Sequence, residues 1–139
     1  MTTTDATAIA HRWTELWNAS SDLAIVDDLV TPDFVSHSAP PGLPAGPAGV
    51  KAWVQIFRTA FPDLHSAADD VIAAGDRVVE RFHAGGTHRG TFFGIPATGR
   101  SGQITGINIF RVVDGRVAEH WGNSDDLGLL RQLGVIPTM

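Results

Sequence analysis

Residues 103–122, QITGINIFRVVDGRVAEHWG, hold two alternating runs joined by Asp114-Gly115. An Asp-Gly pair between such runs is among the strongest short-range hairpin signals, because both central residues of the favoured two-residue turn need positive φ. The spacing therefore predicts a strand over 103–113 and a last strand over 116–122. Working back, residues 64–74 and 77–84 are two more alternating runs around Ala74-Gly75-Asp76, a second hairpin turn. Residues 87–93 read as a further strand, followed by the Gly/Pro-rich loop GIPATGRSG at 94–102. The second half of the chain is thus an antiparallel meander.

The first half has helical periodicity. Over 5–20, Ile9, Trp13, Leu16 and Trp17 recur at helical spacing, with Thr4 or Asp5 as the expected N-cap. Leu23, Val26, Leu29 and Val30 predict a short helix over 22–30, ended by Thr31-Pro32 because a residue before proline avoids the helical region. Residues 33–38 read as a brief extended piece, and PPGLPAGPAG at 40–49 as loop. Pro47 suits the first turn of a third helix over 48–61, with Val50, Trp53, Val54, Phe57 and Phe61 on one side. A terminal helix over 125–133 carries Leu127, Leu130 and Leu133. Helices first and then a meander is an α+β order, in one domain spanning 1–139.

The composition narrows the function. A net charge of −5, with ten scattered Lys and Arg of which only Lys51 is a lysine, argues against a nucleic-acid partner and against an anionic membrane surface. The absence of cysteine excludes disulfides, thiolate nucleophiles and Cys-ligated zinc. The N-terminus lacks a basic segment followed by an apolar run, and no apolar segment approaches the roughly 20 residues that span a bilayer, so the expectation is a soluble cytoplasmic protein. The six histidines at 11, 37, 65, 83, 88 and 120 form no helical i, i+4 pair or close strand pair of the kind zinc sites favour, and no metal is expected.

Several short segments, taken in order, resemble the SnoaL-like polyketide cyclase branch of the NTF2-like superfamily. They are Ala60-Phe61-Pro62-Asp63-Leu64, Ala74-Gly75-Asp76-Arg77-Val78, Gly86-Thr87-His88-Arg89-Gly90, Gly94-Ile95-Pro96-Ala97-Thr98-Gly99-Arg100, Arg111-Val112-Val113-Asp114-Gly115-Arg116, Glu119-His120-Trp121, Asp125, and Gln132-Leu133-Gly134. Together they cover roughly residues 48–135. The resemblance implies an NTF2-like cone, with N-terminal helices packed on a curved antiparallel sheet around one pocket. It implies a cofactor-free enzyme of lyase or isomerase type that closes a ring in a small polyketide-like ester by intramolecular aldol condensation. An Asp four residues beyond a Trp serves such cyclases as acid–base, which puts the role on Asp125, with Asp126 beside it as a rival. These cyclases also use a His on the penultimate long strand; that position is placed near Arg111, where this chain departs from them.

The chemistry is compatible with a single carboxylate. A carbon flanked by two carbonyls is acidic enough to need neither metal nor Schiff base. A free Asp, with a pKa of roughly 3.9, is a weak base near neutral pH, and burial among apolar walls raises it. Trp53, Phe57, Phe61, Phe92, Phe93, Ile107, Ile109 and Trp121 offer such walls, and His88, His120, Asn108 or Asn123 could bond a developing oxyanion. His37, before the Pro/Gly loop, is a candidate for the mouth. If the last strand runs on to 125, Val117, Glu119, Trp121, Asn123 and Asp125 share a face, so Trp121 and Asp125 look into the same space. Against this, Ser124-Asp125-Asp126 opens a helix, where the dipole favours the charged carboxylate and a capping role suffices.

Two rivals stay open. One is a non-catalytic small-molecule-binding or dimerisation module, since a fold argues for no single function. The other is a hydrolase in which Asp125 and Arg111 activate water on an epoxide or lactone, with Glu119 or Asp63 as second carboxylate. Under any reading, an uncovered outer sheet face would favour a homodimer or homotetramer.

Overall fold

The computed structural model describes residues 1–137. The elements run α1 (Thr3–Leu16), α2 (Ile25–Leu29), β1 (Val30–Ser36), α3 (Pro47–Ala60), β2 (His65–Ala74), β3 (Arg77–Thr87), β4 (Ser101–Val113), β5 (Arg116–Ser124) and α4 (Asp126–Gln132). The strands form one open sheet in the order β1-β5-β4-β3-β2. β2 to β5 are the predicted antiparallel meander. The sheet is nonetheless mixed, because β1 pairs parallel to β5 at the edge.

Turn chemistry sets the meander. Asp114 and Gly115 both have positive φ, +50° and +79°, which matches the twist of a two-residue hairpin. In the β2–β3 turn Gly75 takes φ +59° in the first central position, where glycine carries no steric cost. The α1 cap lies earlier than the sequence pattern indicates. Thr2 accepts the N–H of Asp5 while the Asp5 carboxylate accepts the N–H of Thr2, so two free donors of the first turn are satisfied reciprocally.

The strand expected over 87–93 is absent. β3 instead continues to Thr87, and residues 88–100 form a loop. The N–H groups of Arg89 and Gly90 are taken by the Ala60 carbonyl at the end of α3, which leaves them no partner strand to build. Phe92 and Ile95 then close a tight turn on each other around Phe93 (φ +46°) and Gly94 (φ +80°).

α1 packs against β2 and β3, and α3 against β1. Trp13, Leu16, Val26, Leu29, Val30, Val50, Val54, Val78, Phe110 and Val117 make one core cluster. A second cluster of Ala60, Phe61, Leu64, Phe92, Leu129 and Leu133 ties α3, the 88–100 loop and α4 together. Trp13 is the hinge of the first cluster, within 6.5 Å of Trp17, Phe34, Trp53, Phe110 and His120, centroid to centroid. Truncating such a residue to alanine costs about 3–5 kcal/mol.

Candidate active site

Strand alternation decides which side chains face the helices. On β3 these are Val78, Glu80, Phe82 and Ala84; on β4, Ile104, Asn108 and Phe110; on β5, His120 and Gly122. Between this surface and the helices lies a cavity of about 120 Å³. Trp13 of α1, Trp17 at its C-cap, Trp53 and Phe57 of α3, Phe61 and Leu64 wall it, and Leu129 of α4 closes one side. Trp17 meets Trp53 and Phe57 edge to face at 5.1 and 5.5 Å, so the aromatic wall is held by its own contacts.

One polar chain crosses this apolar interior. The Asn108 amide donates from Nδ2 to Glu80 Oε1 at 3.0 Å, and its Oδ1 lies 2.8 Å from His120 Nε2. With the amide oriented this way, the Nε2 of His120 carries the proton and donates to Asn108. The Ser36 hydroxyl, which accepts the N–H of Ser38, donates to His120 Nδ1 at 2.8 Å. At the other end Thr14 Oγ1 lies 2.7 Å from Glu80 Oε2 and 2.8 Å from the Ala10 carbonyl. Glu80 and His120 are each 1% exposed.

Burial sets the protonation of both groups. Desolvation pushes the Glu80 carboxyl above the ordinary carboxylate range, opposed by the hydrogen bonds from Thr14 and Asn108 and by the charge of His11. Desolvation depresses His120 to about 3, with a smaller push from His37, so its imidazole is neutral. Among the described residues Glu80 carries the only carboxyl, and His120 the only imidazole, that lines the cavity.

The SnoaL-like polyketide cyclase family matches residues 7–133 of this sequence. The chain belongs to the SnoaL-like polyketide cyclase family. It is similar to the aklanonic acid methyl ester cyclase DauD of Streptomyces sp. (strain C5), 31% identical over 131 residues, 91% of this chain and 80% of that protein. It is also similar to the nogalonic acid methyl ester cyclase of Streptomyces nogalater, 29% identical over 111 residues, 78% of this chain and 83% of that protein. The structure of TsrD from Streptomyces laurentii superposes with a TM-score of 0.89 at 29% identity, covering 98% of this chain and 99% of that one. As a SnoaL-like cyclase the protein is an enzyme of the lyase or isomerase type.

In this SnoaL-like cyclase, Trp53, Phe57, Phe61, Asn108 and His120 come together around the cavity. Asn123, the other amide candidate, also reaches the cavity lining, and the remaining sequence candidates lie elsewhere. Asp125 is exposed and caps α4, accepting the Gly128 N–H; it does not line the cavity. The reason is a bulge in β5: Val117 and Glu119 pair with the adjacent residues Val112 and Arg111, so Ala118 is extra and inverts the facing of the residues after it. The even-numbered His120 and Gly122 thus point inward, and Trp121 points out. Trp121 stacks on His37 at 5.1 Å and lies under the Arg77 guanidinium at 5.0 Å. Arg111 is on the same outer face, its Nε donating to Glu119 at 2.9 Å, and His37 reaches the other Glu119 oxygen at 2.6 Å. These two bonds hold the Glu119 carboxyl below its ordinary range. On the penultimate strand the inward neighbour of Arg111 is the apolar Phe110, and the inward polar side chain is Asn108, three residues before Arg111. Ile107 and Ile109 alternate with inward neighbours and are exposed outside.

Phe93 is exposed beside the cavity wall, edge to face with Phe57 at 6.4 Å. His88 is fully buried against Phe61, but as a latch for the 88–100 loop: its Nδ1 lies 3.0 Å from the Thr98 hydroxyl and accepts the Thr98 N–H. The second carboxylates considered for water activation are both outside the cavity, Glu119 on the outer face and Asp63 bonded to the N–H and hydroxyl of Thr87. Among the described residues no three histidine or carboxylate side chains cluster as a metal site requires, and no helix is long and apolar enough to cross a membrane.

Sequence reading missed Glu80, Thr14 and Ser36. A signal for Glu80 was present: it shares strand parity with Val78, Phe82 and Ala84, a carboxylate on the apolar face of an alternating run.

Proposed function

We propose that this enzyme closes a ring in a small polyketide-like ester by intramolecular aldol addition inside the aromatic cavity. One observation carries the reading: flat apolar walls from Trp17, Trp53, Phe57 and Phe61 meet a buried polar group of Glu80, Asn108 and His120. The walls suit a conjugated polyketone, held by apolar burial and aromatic stacking. The polar group suits a carbonyl whose oxygen gains charge as the new carbon–carbon bond forms. The ester cyclases among the relatives support the substrate class.

The test is conversion of small 1,3-dicarbonyl esters that carry a pendant ketone, followed by mass spectrometry and proton NMR. Aldol addition keeps the mass and leaves one proton fewer on the carbon between the carbonyls. Phe57→Ala, which removes part of the wall, is expected to raise KM while leaving kcat less affected. Failure of the wild-type protein to convert or bind any member of such a series sinks the reading.

A further inference from the structure

We infer that Glu80, and not the carboxylate at the start of α4, is the acid–base group of this cavity, with Asn108 and His120 as its positioning residues. The inference rests on the ring-closure reading above. Its support is the hydrogen-bond arithmetic around Glu80. The single Thr14 hydroxyl proton has two acceptors, Glu80 Oε2 at 2.7 Å and the Ala10 carbonyl at 2.8 Å. When Glu80 is ionised, the proton turns to Oε2. When Glu80 is protonated, Oε2–H donates to Thr14 Oγ1 and Thr14 turns its proton to Ala10. The Ala10 carbonyl keeps a helical partner in either case, because it lies inside α1. On the other oxygen the Asn108 N–H donates to both forms. A buried carboxyl whose contacts stay satisfied in either protonation state loses little when a proton moves, and an acid–base catalyst requires that property. A carboxyl serving only to brace the fold needs just one of the two states.

The step balances within one residue. The Glu80 carboxylate takes the proton from the carbon between two carbonyls, leaving an enolate. The enolate carbon bonds to the pendant ketone carbon, whose π pair moves on to its oxygen. That alkoxide takes the proton back from Glu80, and no co-reactant is consumed. Asn108 and His120 form a one-way donor chain from Ser36 to Glu80 Oε1 that fixes the carboxyl plane. The groups facing Glu80 are Thr14 from α1, with His11 at longer range, Val71 of β2 in register beside it, Asn108 from β4, and beyond Asn108 the neutral His120 of β5.

The experiment compares wild type with Glu80→Gln on the pendant-ketone 1,3-dicarbonyl esters, with kcat, KM and pH profile measured separately. Expected are a loss in kcat of about 10²–10⁴-fold with KM within a few-fold, and a wild-type rate that rises with pH through a group titrating above the ordinary carboxylate range. Infrared titration of the free protein gives a readout independent of turnover and of the variant's folding. A protonated carboxylic C=O band that persists above the ordinary range supports the inference; no such band in the wild-type protein overturns it. A Glu80→Gln protein that closes the ring at the wild-type rate overturns the role of Glu80 and leaves the ring-closure reading standing. A wild-type protein inactive on every ester overturns both.

Discussion

Asp125 Oδ1 accepts the backbone N–H of Gly128 at 2.9 Å, three residues along, which closes the first turn of α4. That bond makes Asp125 a helix cap. Asp125→Ala is expected to lower stability by about 1 kcal/mol in urea unfolding, and Asp125→Asn much less, because Asn also caps well. Both variants are expected to close the ring at close to the wild-type rate. A loss of about 100-fold in a folded Asp125→Asn protein would return the acid–base role to the α4 start.

Gly122 sits where a side chain would strike the polar chain. A Cβ there would come within 2.6 Å of Asn108 Oδ1 and 3.0 Å of His120 Nε2. Both groups are buried and bonded, so neither can swing aside cheaply. Gly122→Ala is expected to cost about 1–3 kcal/mol and to impair turnover, read by thermal unfolding and by kcat. Unchanged stability and rate would mean that the chain tolerates a shift of its central bond.

The two buried titratable groups act on stability with opposite sign. His120 is depressed from 6.5 to about 3, so between those values the unfolded chain binds more protons and stability rises with pH. Glu80 is raised above 4.5, so just above that value the folded protein binds more protons and stability falls with pH. The slopes oppose each other just above pH 4.5. Glu80→Gln is therefore expected to steepen the rise of stability with pH there, towards a limit of about 1.4 kcal/mol per pH unit. A variant with the same or a shallower slope than wild type would contradict the burial of a titrating Glu80.

Arg111 lies on the outer face, where its partner is Glu119. Arg111→Gln is expected to leave kcat and KM for the ring-closing esters within a few-fold of wild type. It should also raise the pKa of Glu119, whose largest downward cause is that bond; carboxylate NMR titration reads this directly. A large kcat loss would place Arg111 back among the groups that act on substrate.

The hairpins were legible because a turn is a local event. Asp114-Gly115 and Gly75-Asp76 need no knowledge of the rest of the chain to demand a tight reversal. The aromatic wall was legible for a similar reason: helical spacing put Trp53 and Phe57 on one face of α3, and that face is buried whatever it meets. The strand expected over 87–93 failed because its backbone partner is the Ala60 carbonyl, a long-range bond with no local signature.

The facing of the last strand shows the limit most sharply. Alternation is a local rule, and by itself it puts Trp121 and Asp125 inside. The extra residue at Ala118 is defined only against β4, and it turns the whole following segment over. The sequence by itself determined the α+β order and the apolar supply for a cavity, because periodicity and turn residues act over a few positions. Tertiary structure alone decided that Glu80, Asn108 and His120 meet, and that Asp125 caps a helix. Those residues lie on three separate strands, and one bulge in their register chooses which side chains share the dry interior.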